Sequence, residues 1–253
     1  MAALANRVVW VTGAGSGIGR AIAVAFAGAG CRVAISGRRT AQLEETAALL
    51  PSPPLIVPAD VADADQVTAA HHQVVAALGP VDILINNAGV NTPRRHWRNL
   101  TPADMGQLVD VNLKAPFLCT LAVLPAMRAQ GRGLLIHVVS NAATGIYAVA
   151  GPTYTAAKHG ARAMSATLNA EEGIHGIRSV CINPGEVETP ILDNRPSPVS
   201  AADRALMVQP EDIAAAALFA AQLPPRTCMA EMLITPTDNN FHRATARRLA
   251  GEA

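Results

Sequence analysis

The chain has 253 residues, half of them hydrophobic, a formal net charge of +1 and only 3% aromatic residues. That length and balance suit one soluble domain with a large aliphatic core, and no charge excess marks a nucleic-acid partner. No uninterrupted apolar run approaches the roughly 20 residues that a membrane helix needs. The start, Met1 to Arg7, lacks the basic stretch and apolar core of a signal peptide. Cys31, Cys119, Cys181 and Cys228 are far apart. They read as small buried hydrophobes in a reducing compartment, so the expected location is the cytoplasm and no metal site is expected.

Short β-branched runs alternate with longer Ala/Leu-rich helical patterns, the signature of a doubly wound, Rossmann-type α/β fold with about seven parallel strands. Strands are expected near Arg7–Val11, Arg32–Ser36, Leu55–Val57, Ile83–Asn86, Leu134–Val139, Ile177–Asn183 and Met232–Thr235. Helices fill the intervals: Ile18–Ala29, Thr40–Leu50, Asp63–Leu78, Thr101–Ala129, Pro152–Gly173 and Glu211–Gln222. No repeat or linker divides the chain, so residues 1–253 are read as a single domain, with a proline-rich segment near 186–209 covering the site. The tail from Phe241, with Arg243, Arg247 and Arg248, reads as either a frayed end or an interface arm.

The first strand runs into Thr12-Gly13-Ala14-Gly15-Ser16-Gly17-Ile18-Gly19, and a helix pattern follows at once. Glycines there let a pyrophosphate approach the backbone N–H groups, and the helix N-terminus adds a favourable dipole. Ile18 stands where the last glycine of G-x-G-x-x-G would fall, so the spacing is better written Thr-Gly-x-x-x-Gly-x-Gly. The second strand ends at Ser36-Gly37-Arg38-Arg39. NAD-binding folds usually place an acid here for the ribose hydroxyls, whereas a basic residue accommodates the extra phosphate of NADP. Gly37 replaces the acid and Arg38 follows, so NADP(H) is expected in preference to NAD(H); the plain alternative is a solvated basic turn.

Asn112 falls inside a long helical pattern, where asparagine is a poor helix former. Ser140 follows the apolar run Leu134 to Val139, so its hydroxyl should emerge at the C-terminal edge of the sheet, where open α/β sheets bind ligands. Tyr154 and Lys158 are four apart on a helix and share a face. An ammonium beside a phenol favours the phenolate and should pull the tyrosine pKa down from about 10.

Taken together, the glycine motif, Asn86-Asn87-Ala88-Gly89, Asn112, Ser140, the Tyr154/Lys158 pair and Asn183-Pro184-Gly185 resemble the short-chain dehydrogenase/reductase family along nearly the whole chain. The resemblance implies that Asn112, Ser140, Tyr154 and Lys158 are catalytic, with Asn112 kinking its helix and holding a water linked to Lys158. It also implies that Asp60 and Val61 contact the adenine; Asp60 alternatively caps the next helix. Asn87, Ala88 and Gly89 would leave room for ribose, and Pro184, Gly185, Val187 and Thr189 would hold the nicotinamide carboxamide. The glycine-turn residues Thr12, Gly13, Ser16, Gly17, Ile18 and Gly19, with Ser36, Arg38 and Arg39, and with Tyr154 and Lys158, the latter on the nicotinamide ribose, complete the expected cofactor contacts.

The implied reaction is hydride transfer between nicotinamide and a small carbonyl or hydroxyl substrate, with Tyr154 as general acid and base. A non-catalytic dinucleotide-binding or redox-sensing subunit stays open, as does an isomerase or dehydratase on the same scaffold. Arg94, Arg95, Trp97 and Arg98 are either an anion-recognising rim or solvated loop residues. The stretch from Leu223 to Thr237 resembles the branch holding hydroxy-acid and serine dehydrogenases and clavulanate-type aldehyde reductases, which points to small polar substrates. The family pairs its long helices into dimers and tetramers, so a homotetramer is expected, with a homodimer next, formed along apolar stripes on Thr101–Ala129 and Pro152–Gly173. His71 and His72 are expected as surface or packing residues.

Overall fold

The structure is a computed structural model and describes residues 4–195, 197–238, 243 and 248–251. Seven strands form one sheet: β1 (Val8–Thr12), β2 (Arg32–Gly37), β3 (Leu55–Pro58), β4 (Ile83–Asn86), β5 (Gly133–Val138), β6 (Ile177–Pro184) and β7 (Glu231–Ile234). Their order is β3-β2-β1-β4-β5-β6-β7, and every neighbouring pair is parallel. The fold is therefore the Rossmann-type arrangement that the alternating pattern implied.

Among the described residues, eight helices carry the crossovers: α1 (Gly17–Gly28), α2 (Thr40–Ala47), α3 (Ala64–Leu78), α4 (Pro102–Val109), α5 (Ala115–Gln130), α6 (Pro152–Glu172), α7 (Ala201–Ala205) and α8 (Pro210–Gln222). Both sheet faces are covered, which is why the strands read as continuous apolar runs. In β1, Val9 and Val11 join Ile22 and Phe26 of α1 and Ile213 of α8, while Val8 and Trp10 join Val74 of α3 and Val123 and Met127 of α5. Each such fully buried aliphatic side chain contributes about 1.5–3 kcal/mol relative to exposure.

Strand β1 pairs with β2 on one side and β4 on the other. The crossovers diverge there, and a crevice opens at the carboxyl ends of the two strands, at Thr12 and Asn86.

The helix expected over Thr101–Ala129 is interrupted. Residues Asp110–Lys114 form a π-helical turn between α4 and α5, in which the Ala115 N–H reaches Asp110 O. Pro116 has no N–H to return to the Asn112 carbonyl, and the Asn112 side chain donates to Leu108 O at 3.0 Å, so the α-ladder is released at this point. The same span, Pro102–Gln130, has the length and mean hydropathy (1.4) of a membrane crossing, contrary to the run-based expectation. Charged residues interrupt the run without lowering its average enough, and half of the apolar window is buried inside the fold, as for a core helix. Helix α2 stops at Ala47 rather than Leu50, the chain tightening through Leu49 N–H to Thr46 O before Pro51.

Three cysteines are buried, but Cys228 is exposed, in the loop before β7. There its thiol lies 3.5 Å from Asn169 Oδ1 and from Ser179 O. His71 packs against Trp10, their rings 6.1 Å apart. Segment 186–209 holds a 3-10 turn (Pro190–Asn194) and α7, and a bridge between Val187 and Val208 ties its ends together. Pro196 of this segment, and Phe241 and Arg247 of the tail, lie outside the described residues; Arg243 pairs with Asp238 at 2.8 Å.

Candidate active site

A cavity of about 980 Å³ runs along the carboxyl edge of the sheet, from the β1–α1 turn to segment 186–195. Of the expected cofactor residues, Gly13, Ser16, Gly17, Ile18, Arg38, Arg39, Asp60, Val61, Asn87, Ala88, Gly89, Pro184, Gly185, Val187 and Thr189 all line it.

Thr12, Gly19 and Ser36 do not line the cavity; they build its wall from behind. The Thr12 hydroxyl donates to Ile85 O at 3.1 Å and accepts from the Asn87 N–H at 3.1 Å, which ties β1 to β4. Ser36 is fully buried, and its Oγ accepts from the Trp10 indole at 2.9 Å. Gly13 has φ +65°, and a Cβ there would sit 2.7 Å from Ala88 Cα. A Cβ on Gly19 would lie 2.4 Å from both Gly13 O and Asn87 Nδ2, so this glycine lets α1 press against the turn.

The N-terminus of α1 is open to an anion. Ser16 occupies the cap position without a side-chain cap bond, and no acid stands in the first turn. The orphan N–H groups and helix dipole therefore suit a pyrophosphate. At the end of β2, the Arg38 guanidinium lies 3.9 Å from Asp60 and is more than half exposed. Asp60 does not cap α3; Asp63 does, accepting from the N–H groups of Asp65 and Gln66. Asp60 Oδ1 instead accepts from Ala62 N–H at 3.0 Å.

Beyond the turn lie the candidate proton-transfer groups. Ser140 follows β5, its Oγ accepting from Ala142 N–H at 3.1 Å and donating to Asn141 Oδ1 at 3.2 Å. Tyr154 and Lys158 stand one turn apart near the start of α6, both lining the cavity. Lys158 Nζ lies 5.5 Å from the Tyr154 ring centroid and donates to Val138 O at 3.4 Å. Asn112 is fully buried outside the lining. Its amide accepts from Val90 N–H at 3.3 Å and donates to Val90 O at 2.9 Å, which fixes the loop after β4. A Cβ on Gly89 would lie 3.2 Å from Asn112 Oδ1 and 3.5 Å from Lys158 Nζ, so both groups face this one glycine.

The electrostatics differ from the sequence expectation. Burial raises the Tyr154 pKa above its usual 10, opposed by the Ser140 hydroxyl and then by the Arg95 charge. The Lys158 ammonium, 5.5 Å from the ring centroid, does not overcome that burial. Burial instead brings Lys158 itself down to about 8.

Arg94, Arg95, Trp97 and Arg98 separate. Arg94 forms a two-point pair with Asp104 at 2.9 and 3.2 Å, and Trp97 and Arg98 are exposed. Arg95 alone of the four lines the cavity, only 4% exposed. Sequence reasoning did not single out Asn91, Asn141 or Tyr147, which line that end together with Asn194 and Arg195 of the segment expected to cover the site. Asn141 could have been found from its place beside Ser140; the others arrive on separate loops with no local signal.

A glycine turn on an uncapped helix, joined through one cavity to a serine, tyrosine and lysine, is the layout of a dinucleotide-dependent oxidoreductase. The family model for short chain dehydrogenases matches residues 7–199, and the chain belongs to the short-chain dehydrogenase/reductase family. It is 34% identical to levodione reductase of Leifsonia aquatica over 217 residues, covering 81% of this chain and 80% of that one. A metagenomic short-chain oxidoreductase solved in complex with NADP superposes with TM-score 0.81 at 30% identity, covering 93% of this chain and 99% of that one. The closed form of serine dehydrogenase complexed with NADP+ gives TM-score 0.85 at 27% identity, covering 92% and 96%.

Proposed function

We propose that the chain is an NADP(H)-dependent oxidoreductase that transfers hydride between nicotinamide and a small carbonyl or hydroxyl substrate. The observation that carries this reading is the shared cavity, in which Ser140, Tyr154 and Lys158 continue directly from the β1–α1 turn. The residues present fit the cofactor: the uncapped start of α1 suits the pyrophosphate, and Arg38 suits a 2′-phosphate. The NADP complexes among the similar structures support the same choice. When bound, the cofactor supplies or accepts the hydride.

The chain's own groups handle the charge and the proton. Tyr154, kept a neutral phenol by burial, donates its proton to the carbonyl oxygen that becomes the hydroxyl. The Ser140 hydroxyl turns from Asn141 to hydrogen-bond that oxygen as charge develops on it. Lys158, with a pKa near 8, remains largely an ammonium at neutral pH and stabilises the tyrosinate left behind. Asn112 holds the Val90 loop in place across from Lys158. In oxidation the tyrosinate is the base.

The substrate is expected to be small and polar, in line with the serine dehydrogenase among the similar structures. Segment 186–209 serves as its cover, closed on itself by the Val187–Val208 bridge, in a single-domain cytoplasmic enzyme. Exposed Met105, Val109, Phe117 and Leu121 on α4 and α5, with Phe219 and Leu233, support a homotetramer, or failing that a homodimer. Among the described residues α6 adds no large exposed apolar side chain, so the expected stripe narrows to α4–α5.

The experiment is a panel of small ketones, aldehydes and keto acids followed at the nicotinamide absorbance with NADPH and NADH. Net NADPH oxidation matched by alcohol formation is expected. Binding of NADPH without oxidation by any carbonyl compound, or product rearrangement without net consumption, contradicts the reading.

A further inference from the structure

The substrate end of the cavity holds a buried cation, Arg95, with no carboxylate among the described residues in a salt bridge to it. The Arg95 Nε–H donates to Thr92 O at 2.6 Å, one Nη donates to Val149 O at 3.4 Å, and the other to Asn194 O. A guanidinium has five N–H donors, so one on each terminal nitrogen remains. Its neighbours are balanced: Arg94 by Asp104, and Arg195 by Glu186 at 2.9 Å. Among the described residues no carboxylate forms a salt bridge with Arg95.

Backbone carbonyls satisfy N–H groups but carry no net charge, and a buried charge left unpaired is costly. The nearby Arg195 makes the position worse: burial first and that like charge second lower the Arg95 pKa from its usual 12.5. The Tyr154 phenol, once ionised, opposes these in part, and an anion entering the cavity would offset both. Arg95 and Tyr154 line the same cavity, so an anion held by Arg95 would share it with the proton donor.

We propose that Arg95 binds the carboxylate of the substrate, making the substrate class short keto acids and their hydroxy-acid counterparts, with the reacting oxygen at Ser140 and Tyr154. This rests on the oxidoreductase reading above. The competing account is a latch, in which Arg95 only ties the loop after β4 to the Pro190–Asn194 turn through backbone carbonyls. A latch explains the three bonds but gives no reason for a ligand's charge to matter.

The test is calorimetric titration of the NADPH-saturated protein with isobutyrate and with isobutyramide, which match in shape and differ in charge. Isobutyrate should bind native protein at least about tenfold more tightly than the amide. Arg95→Gln should lose that preference while holding NADPH within about twofold, and Arg95→Lys should keep part of it. Equal binding of the two probes by native protein overturns the proposal without any variant. A preference for the acid that persists in Arg95→Gln also overturns it and leaves the latch. Neither probe is turned over, so failure here is read separately from failure of the carbonyl panel.

Discussion

The two ends of the cavity are made in different ways. Around the β1–α1 turn the working surface is backbone, and the side chains there, Thr12, Ser36 and Asn87, are spent holding that backbone still. At the far end the surface is side chains, several of them charged, carried on loops far apart in the chain: Arg95 meets the carbonyl of Asn194, 99 residues away. The first construction fixes a common cofactor fragment by geometry that tolerates little change. The second sets what else is bound, and each loop residue can be exchanged without disturbing the sheet.

If that contrast is right, the cofactor end should break sterically. Gly19→Val places a side chain where a Cβ already meets Gly13 O at 2.4 Å, so the turn must move. NADPH affinity should fall by at least about a hundredfold, measured by fluorescence titration, with the fold retained by circular dichroism. An affinity within tenfold of native would show that the turn is softer than its contacts indicate.

One residue at the cofactor end should behave like the substrate end, because it acts through charge. A Cβ added at Gly37 meets only Leu43, at 3.6 Å, so Gly37→Asp fits without strain. With Arg38→Leu it should shift the ratio of kcat/KM for NADPH over NADH by about tenfold towards NADH, the lower end of the roughly 1.5–3 kcal/mol of a charge-assisted hydrogen bond. The lower end applies because Arg38 is exposed and Asp60 competes for it. A native enzyme that already prefers NADH would make Arg38 an ordinary solvated turn residue.

The pH dependence follows from the two perturbed groups. In the proposed mechanism reduction uses the Lys158 ammonium and the Tyr154 phenol, so its kcat should hold level through neutral pH and decline severalfold as pH rises through about 8, where Lys158 loses its proton. Oxidation needs the phenolate, whose pKa burial raises, so its rate should climb with pH over the same range. Parallel profiles for the two directions would contradict these assignments. The smallest expected effect is at Arg94, next in sequence to Arg95 but on the surface and paired with Asp104. Arg94→Ala should leave kcat/KM within about twofold for charged and uncharged substrates alike.

The same contrast explains what could be read in advance. The strand order, the crevice and the glycine turn follow from residue periodicity and spacing, because backbone geometry admits few residues at Gly13 or Gly19. The place of Ser140, Tyr154 and Lys158 along the cavity is legible because each sits at a fixed offset from a strand or along one helix. The Tyr154 pKa runs against the spacing argument, since helical spacing puts the ammonium near the ring but does not tell how deeply the phenol is buried. The resemblance implied a kink at Asn112, but its form as a π-helical turn is hidden by a regular helix pattern, because Asn112 and Pro116 act jointly across it. Arg95 could not be told from Arg94, since only the fold decides which of two adjacent arginines turns inward.

The central claim, that Tyr154 moves the proton in a cavity whose cofactor end is built separately, is tested most directly by measuring turnover and NADPH affinity together in Tyr154→Phe. Turnover with the best carbonyl substrate should drop by about 10²–10⁴-fold while NADPH binds within a few-fold of native. Turnover close to native in that variant would remove Tyr154 from the chemistry and contradict the account.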